Sequence, residues 1–590
     1  MQSNAFSSDW LRGGADDRLK PPGTHSYVAG ATNEPLRYLT VSQQLDKTVG
    51  RHGARPAAIF HGEKKTFSWY DLQREADDLA AALLALGVRR GNRVGIWAPN
   101  CSEWLLAQFG TARIGAILVN INPAYQSSEL EYALNKVRCR VLVMARGFKA
   151  SDYLATLRTL APEIDRPGGE PVLESHRLPH LKHVVLLDDP RQPKAPVPPK
   201  AQRFADFLRQ AGPAQRARLA GLSSALEPDD PINIQFTSGT TGAPKGAMLT
   251  HFNIVNNARF VAKAMVLTPE DRLCIPVPLY HCFGMVMGAL ACAATGATMV
   301  FPGEGFDAKA TLEAVERHRC TALHGVPTMF VALLAEPLLR ERDVSSLRTG
   351  IMAGAPCPIE VMRRVVTELH MPEVTIAYGM TETSPVSFQS ATGDPLERRV
   401  STVGRVHPHV EVKIVDSAGR MVPLGQPGEL CTRGYSVMRG YYEDPERTRE
   451  VLDEAGWMHT GDLATIDAEG YCNIVGRVKD MLIRGGENVF PREVEAFLHQ
   501  HEKVLDVQVF GVPDAKYGEE VCAWIVPRPG ATLTAEEIEA YCRGRIAHYK
   551  VPRHIRFVPA FPLTATGKAQ KFVMRDAMMR ELGLTAAKTA

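Results

Sequence analysis

The chemistry-bearing residues of the chain concentrate in Ile232-Asn-Ile-Gln-Phe-Thr-Ser-Gly-Thr-Thr-Gly-Ala-Pro-Lys-Gly246. Gly239, Gly242 and Gly246 let backbone N–H groups approach an anion closely. Thr237, Ser238, Thr240 and Thr241 add hydroxyl donors and Lys245 a point charge, so the stretch can cradle a polyphosphate. The P-loop alternative requires Gly, four residues, then Gly-Lys-Ser/Thr. Counted from Gly239, the chain arrives instead at Pro244-Lys245-Gly246. The hydroxyl that would bind Mg²⁺ after the lysine is missing, which argues against β/γ-phosphate hydrolysis. A flexible surface linker is the bland alternative, but linkers seldom follow an alternating strand and open onto a capped helix.

Further stretches carry matching chemistry: Tyr378-Gly-Met-Thr-Glu-Thr-Ser-Pro385, Tyr435-Ser-Val-Met-Arg-Gly-Tyr441, His459-Thr-Gly-Asp-Leu463, Gly476-Arg-Val-Lys-Asp480 and Pro562-Leu-Thr-Ala-Thr-Gly-Lys568. An aromatic face such as Tyr378 packs on a purine, and a hard cation prefers a carboxylate such as Glu382. A second carboxylate, Asp462, can accept two hydroxyl hydrogen bonds at once. Taken singly, each has a plain reading: core tyrosine, surface glutamate, turn aspartate, surface Arg477, solvated Lys568, structural His281.

Together and in this order, the stretches resemble the adenylate-forming superfamily of acyl-CoA synthetases, luciferases and peptide-synthetase adenylation domains. The resemblance implies that Thr237, Ser238, Gly239, Thr240, Thr241, Gly242, Ala243, Pro244 and Lys245 hold the ATP phosphates. Gly354, Ala355 and Pro356 would hold the adenine by backbone, with Tyr378 stacked on it. Thr381 would bond an α-phosphate oxygen, Glu382 would hold Mg²⁺, Asp462 would clamp the ribose diol, and Arg477 would contact the ribose or phosphate. His281 would orient the reacting carboxylate at the acyl entrance, and Lys568 would serve adenylation. Lys479 would be the hinge about which a small domain swings to bring Gly485 and Gly486 to the site in place of Lys568.

The implied reaction joins a carboxylate to the α-phosphorus of ATP, expels pyrophosphate, and passes the acyl group to coenzyme A. Gly485-Gly-Glu-Asn-Val-Phe-Pro-Arg-Glu-Val494 and Val119-Asn-Ile-Asn-Pro-Ala-Tyr125 are most similar to medium-chain fatty acyl-CoA synthetases. Met285–Gly288 and Val326–Phe330 are candidate tunnel walls, though Met and aromatic residues also serve as plain core. Aryl and short branched acids stay open. So do an enzyme that loads an acyl carrier protein, although nothing after Lys568 offers an attached carrier domain, and a nucleotide or lipid sensor without turnover.

Positioning these residues requires a large scaffold. At 590 residues the chain exceeds one core, and about 150 residues per domain gives three or four folding units. Its net charge of +3, from 68 basic and 65 acidic side chains, offers no field for nucleic acid. Eleven cysteines, none in a Cys-x-x-Cys pair, argue against a disulfide framework or structural zinc. Together with an N-terminus lacking a basic, apolar leader, they predict a cytoplasmic protein. The apolar run from Met285 to Phe301 is too short and broken for a membrane span, which takes about 20 apolar residues. It predicts a buried helix followed by a strand. Peripheral membrane contact and oligomeric state stay open.

Alternating periodicity predicts an α/β fold: a large N-terminal domain of stacked, helix-covered sheets plus a small β subdomain, and a small mobile α+β C-terminal domain. The expected division is an N-terminal arm at 1–40, an AMP-binding domain at 41–478 and a lid at 479–590. Ser68 and Thr250 are expected helix N-caps, the latter making the cradle a bridge from strand to helix. Leu273–Gly284 reads as a strand ending in a polar turn, Asp462 as a turn residue, and Thr534 as the cap of a helix reaching about Ile546.

Overall fold

A computed structural model describes residues 19–189, 191–192, 194–237, 244–355, 357–484, 487–514, 516–564 and 569–584. Among them, strands assemble into four large sheets. In the first, Ala201–Arg203, His183–Leu186, Val141–Met144, Arg93–Trp97, Ile117–Asn120 and Pro231–Thr237 run parallel, and Lys245–Thr250 and Gly440–Tyr441 close one edge antiparallel. The second holds nine strands, with Glu373–Gly379, Thr349–Ala353, Ala322–Gly325, Arg272–Cys274, Thr298–Phe301 and Pro56–Phe60 parallel at its centre. Their residues are almost continuously apolar because helices cover both faces.

Helices Trp69–Ala85, Ser102–Arg113 and His251–Ala264 lie between these sheets, in one hydrophobic cluster that draws on both. The first of them begins as its sequence demands. Ser68 Oγ accepts the Asp71 N–H, and the Asp71 carboxylate accepts the Ser68 N–H. Leu72, Ala76, Leu79 and Leu83 all point into the core, and the chain leaves at Gly87 with φ +75°. The third sheet is antiparallel and contains Tyr27–Ala29, Val410–Val415, Gly428–Gly434, Met458–Ile466 and Cys472–Arg477. A fourth sheet, built around the long hairpin Val504–Asp514 and Gly518–Pro527, packs with helix Pro491–Leu498 in the small C-terminal domain.

Five expectations change. The cradle does not bridge strand and helix: Pro231–Thr237 pairs antiparallel with Lys245–Thr250 as a hairpin, and the helix capped by Thr250 starts only at His251. Glycine and proline just before Lys245–Thr250 hide its strand character, yet it pairs on both edges. The N-terminal stretch is more than an arm, since Tyr27–Ala29 adds an edge strand against Val410–Val415; three residues are too few to show a period. After the three-residue strand Arg272–Cys274, the chain winds into a π-helix at Phe283–Leu290. Asp462 lies in a strand rather than a turn, and the helix capped by Thr534 ends at Cys542. No helix among the described residues is long and apolar enough to cross a membrane.

Three buried histidines make the fold acid-sensitive. His251 Nδ1 accepts the Val41 N–H at 3.0 Å, His324 Nε2 lies 3.1 Å from the Met287 carbonyl, and His407 Nε2 lies 3.1 Å from Gln389 Oε1. Burial lowers their pKa values from 6.5 to about 3, about 4 and about 3 respectively. Between pH 6.5 and these values the unfolded chain binds protons that the folded chain does not, so stability falls as pH falls. Thermal unfolding followed from pH 7.5 to 5 is expected to show Tm dropping below pH 6.5, and a smaller drop in His251→Gln.

Candidate active site

The candidate site lies where the carboxyl ends of the parallel strands of both large sheets meet, the usual crevice for ligands in open α/β sheets. Thr237 ends the cradle strand, and Tyr378 sits near the end of Glu373–Gly379. The chain then passes through a short 3₁₀ turn, Thr381–Thr383, that delivers Glu382 across to the other sheet. There Glu382 Oε1 accepts hydrogen bonds from Thr237 Oγ1 at 3.2 Å and from the Tyr441 hydroxyl at 2.9 Å. The Glu382 carbonyl takes the Met438 N–H at 2.8 Å. Glu382 is 5% exposed, and its Oε2 accepts no hydrogen bond among the described residues. A buried carboxylate with one free oxygen suits a hard divalent cation. Burial first, and then Glu382, push the Tyr441 hydroxyl up, so it stays a neutral donor. Lys245, in register with Thr237 across the hairpin, holds its ammonium 5.0 Å from the centre of the Tyr441 ring.

A second carboxylate is held with equal care. In the third sheet, Asp462 and Arg477 are cross-strand partners, and Arg477 Nε donates to Asp462 Oδ1 at 3.0 Å. The Tyr378 hydroxyl donates to Asp462 Oδ2 at 2.6 Å, tying the second sheet to the third. Burial and then the Asp462 charge raise the Tyr378 hydroxyl well above its ordinary range. Burial is the largest single influence on Arg477 and opposes its charge, but Asp462, Asp480 and Tyr378 together raise its pKa. Both oxygens of Asp462 keep spare lone pairs.

Gly354 and Ala355 follow strand Thr349–Ala353, whose Ala353 pairs with Ala377, so they lie beside Tyr378. Gly379 is required by close approach: a Cβ there would come within 1.8 Å of the Pro385 carbonyl oxygen. Thr381 is buried beside Glu382. His281 precedes the π-helix, and its Nδ1 accepts the Phe283 N–H at 3.2 Å. Lys479 lies in the turn after Cys472–Arg477, where the Asp480 and Met481 N–H groups both bond the Arg477 carbonyl. Pro244 immediately precedes Lys245 at the start of the returning strand. Ser238, Gly239, Thr240, Thr241, Gly242, Ala243, Pro356, Gly485, Gly486 and Lys568 lie outside the described residues.

Two groups of site residues escaped sequence reasoning. Tyr441 stands in a stretch whose resemblance was noted, but the partner that defines it, Glu382, is far away in sequence. The second group is a polar ladder on the cradle strand. Gln235 Nε2 donates to Asn233 Oδ1 at 2.9 Å, Asn233 Nδ2 to Asn120 Oδ1 at 2.9 Å, and Asn120 Nδ2 to the Tyr280 carbonyl at 2.8 Å. The ladder fixes the His281 loop to the cradle. Its signal was the polar alternation of Asn233 and Gln235 in an otherwise apolar strand. From the small domain, Arg492 Nη1 donates to the Ile474 carbonyl at 2.6 Å, docking helix Pro491–Leu498 onto the strand that carries Arg477.

The family described as AMP-binding enzyme matches residues 45–442, and its C-terminal domain family matches residues 493–568. The chain is 48% identical to the mitochondrial medium-chain acyl-CoA ligase ACSF2 of Danio rerio, over 96% of this chain and 92% of that one. It is 45% identical to the putative acyl-CoA synthetase YngI of Bacillus subtilis, over 93% and 99%. Among solved structures, an anthranilate CoA ligase, AuaEII, in complex with anthranoyl-AMP superposes with TM-score 0.80 at 27% identity, covering 94% of this chain and 99% of that one. A fatty acyl CoA synthetase of Mycobacterium tuberculosis superposes at 0.68 with 26% identity, covering 92% and 99%. Glu382 in its 3₁₀ turn and Asp462 in the third sheet are thus set in a chain that belongs, over most of its length, to the AMP-binding enzyme family.

Proposed function

We propose that this chain is an ATP-dependent fatty acid–CoA ligase acting on medium-chain acids. The observation that carries the reading is the joining of the cradle strand to a buried carboxylate, through Thr237 and Glu382, in a chain so similar to medium-chain acyl-CoA ligases. A carboxylate oxygen of the acid attacks the α-phosphorus of ATP, the bond to the bridging oxygen breaks, and pyrophosphate leaves. The sulfur of coenzyme A then attacks the acyl carbonyl carbon, its proton passes to solvent, and AMP leaves.

The first step brings two anions together, so it needs positive charge and oriented donors. Lys245 and the cradle hydroxyls supply these at the phosphates, Thr381 at the α-phosphate and Lys568 from the small domain. Glu382 offers Oε2 to Mg²⁺, which when bound neutralises phosphate charge. Asp462 accepts the ribose hydroxyls, steadied by Arg477 and Tyr378, while Gly354, Ala355 and Pro356 border the adenine. His281 orients the acid, and the ladder from Gln235 to Tyr280 holds it in place. Met287, in the buried π-helix, is bonded by His324, two residues before the segment from Val326 to Phe330, which suits Met285–Gly288 and that segment to one wall of an acyl tunnel. Lys479 is the hinge between an AMP-binding domain at 41–478 and a lid at 479–590, and Gly485 and Gly486 approach in the second step. Eleven cysteines outside any disulfide accord with the cytoplasmic location we propose.

Carboxylic acids of graded length, assayed for coenzyme A-dependent AMP release, are expected to give the highest kcat/KM at medium chain length. Turnover with every acid only when an acyl carrier protein replaces coenzyme A would overturn the reading. Asp462→Asn keeps the shape but removes the charge, leaving Arg477 without its counter-charge. It is expected to raise the KM for ATP about 10- to 100-fold, the loss of one or two charge-assisted hydrogen bonds.

A further inference from the structure

Strands Gly428–Gly434 and Met458–Ile466 place three potential ligands on one patch of the third sheet. Cys431 and His459 are direct cross-strand partners, and Glu429 stands two residues from Cys431 on the same strand face. Cys431 Sγ lies 3.5 Å from His459 Nδ1, and His459 Nδ1 lies 2.9 Å from Glu429 Oε2. All three ligand atoms fall within 4.8 Å of one another. In a tetrahedral zinc site, with bonds of about 2.3 Å to sulfur and 2.0–2.1 Å to nitrogen and oxygen, such atoms stand about 3.3–3.6 Å apart. The two distances to His459 Nδ1, 3.5 and 2.9 Å, lie within about half an ångström of those values. Cys431 is fully buried, packed with Trp457, while His459 and Glu429 are half-buried, so a fourth position faces solvent.

From this geometry we infer that Glu429, Cys431 and His459 form a binding site for a single Zn²⁺ ion, with water as fourth ligand. On binding, the Cys431 thiol loses its proton to solvent, the neutral His459 imidazole carries its one proton on Nε2 so that Nδ1 can ligate, and Zn²⁺ takes the place between Glu429 and His459 now spanned by a hydrogen bond. One ligand, Glu429, also grips the bulge that leads to Asp462, and Leu430, which stands between Glu429 and Cys431, holds the adjacent residue of that bulge. Glu429 Oε1 accepts the Gly461 N–H at 3.1 Å, and Thr460 Oγ1 donates to the Leu430 carbonyl at 2.7 Å while accepting the Asp462 N–H at 3.1 Å. Metal occupancy and nucleotide affinity are consequently linked, each shifting the other by the same factor. The site itself stands independently of the ligase reading.

The test is titration of the full-length protein with Co²⁺, whose thiolate charge-transfer band in the near ultraviolet reports sulfur ligation, followed by Zn²⁺ competition. One equivalent of band-producing Co²⁺, displaced by one equivalent of Zn²⁺, is expected. Cys431→Ser should abolish the band, and His459→Ala should weaken binding at least tenfold, with circular dichroism spectra unchanged in both. Absence of a band at excess Co²⁺, or its persistence in Cys431→Ser, would overturn the site. ATP affinity measured with and without Zn²⁺ is expected to differ several-fold in the wild type and not in Cys431→Ser; identical values in the wild type would overturn the link to Asp462.

Discussion

Glu382→Gln is expected to reduce ATP–pyrophosphate exchange about 100- to 1,000-fold, the scale of losing one preorganised charge at a reaction centre. The side chain is buried between two sheets, and its Oε1 accepts from Thr237 and Tyr441. An amide oxygen can accept both bonds, so the cross-sheet link survives and only the negative charge is lost. The stability cost is the difference between charge-assisted and neutral hydrogen bonds, about 1 kcal/mol, so Tm should move by only a few degrees. Tyr441→Phe removes one donor and leaves the carboxylate charge, and a loss of about tenfold is expected. Exchange within threefold of wild type in Glu382→Gln would show that this carboxylate serves packing alone.

The second large effect separates the two half-reactions. Lys568→Ala is expected to slow adenylate formation about 100- to 1,000-fold, while thioester formation from preformed acyl adenylate stays within about threefold of wild type. A cation at the α-phosphate helps two anions meet, but attack of sulfur on an acyl carbonyl has no such need. Lys568 lies outside the described residues, but the chain on either side is anchored. Leu563 bridges Ala569, and Lys571 Nζ pairs with the buried Glu495 at 2.6 Å, tying this segment to helix Pro491–Leu498. Equal losses in both half-reactions, measured by single-turnover kinetics, would refute this division.

Much of this protein was legible from spacing alone. Period and caps marked the helices after Ser68 and Thr250, and apolar runs marked the central strands, because both signals are local to a few residues. The stretches that hold Lys245, Tyr378, Glu382, Asp462 and Arg477 pointed to a nucleotide through their resemblance to the adenylate-forming superfamily, not through spacing. Less legible were short or irregular elements: the edge strand Tyr27–Ala29, the strand Lys245–Thr250 and the π-helix at Phe283–Leu290. None is long enough, or regular enough, to impose a period on the sequence.

The sequence by itself determined the inventory of charges, hydroxyls and glycines, and the long, periodic helices around them. Only the tertiary structure decided which of them meet. Tyr441 reaches Glu382 because Gly440–Tyr441 pairs with Lys245–Thr250 at a sheet edge, and Tyr378 reaches Asp462 because two separate sheets abut. The Cys431 and His459 side chains face each other only through the register of two antiparallel strands. Periodicity is written in neighbouring residues, whereas sheet order and register follow from burying apolar faces across the whole chain, and no local spacing records that outcome.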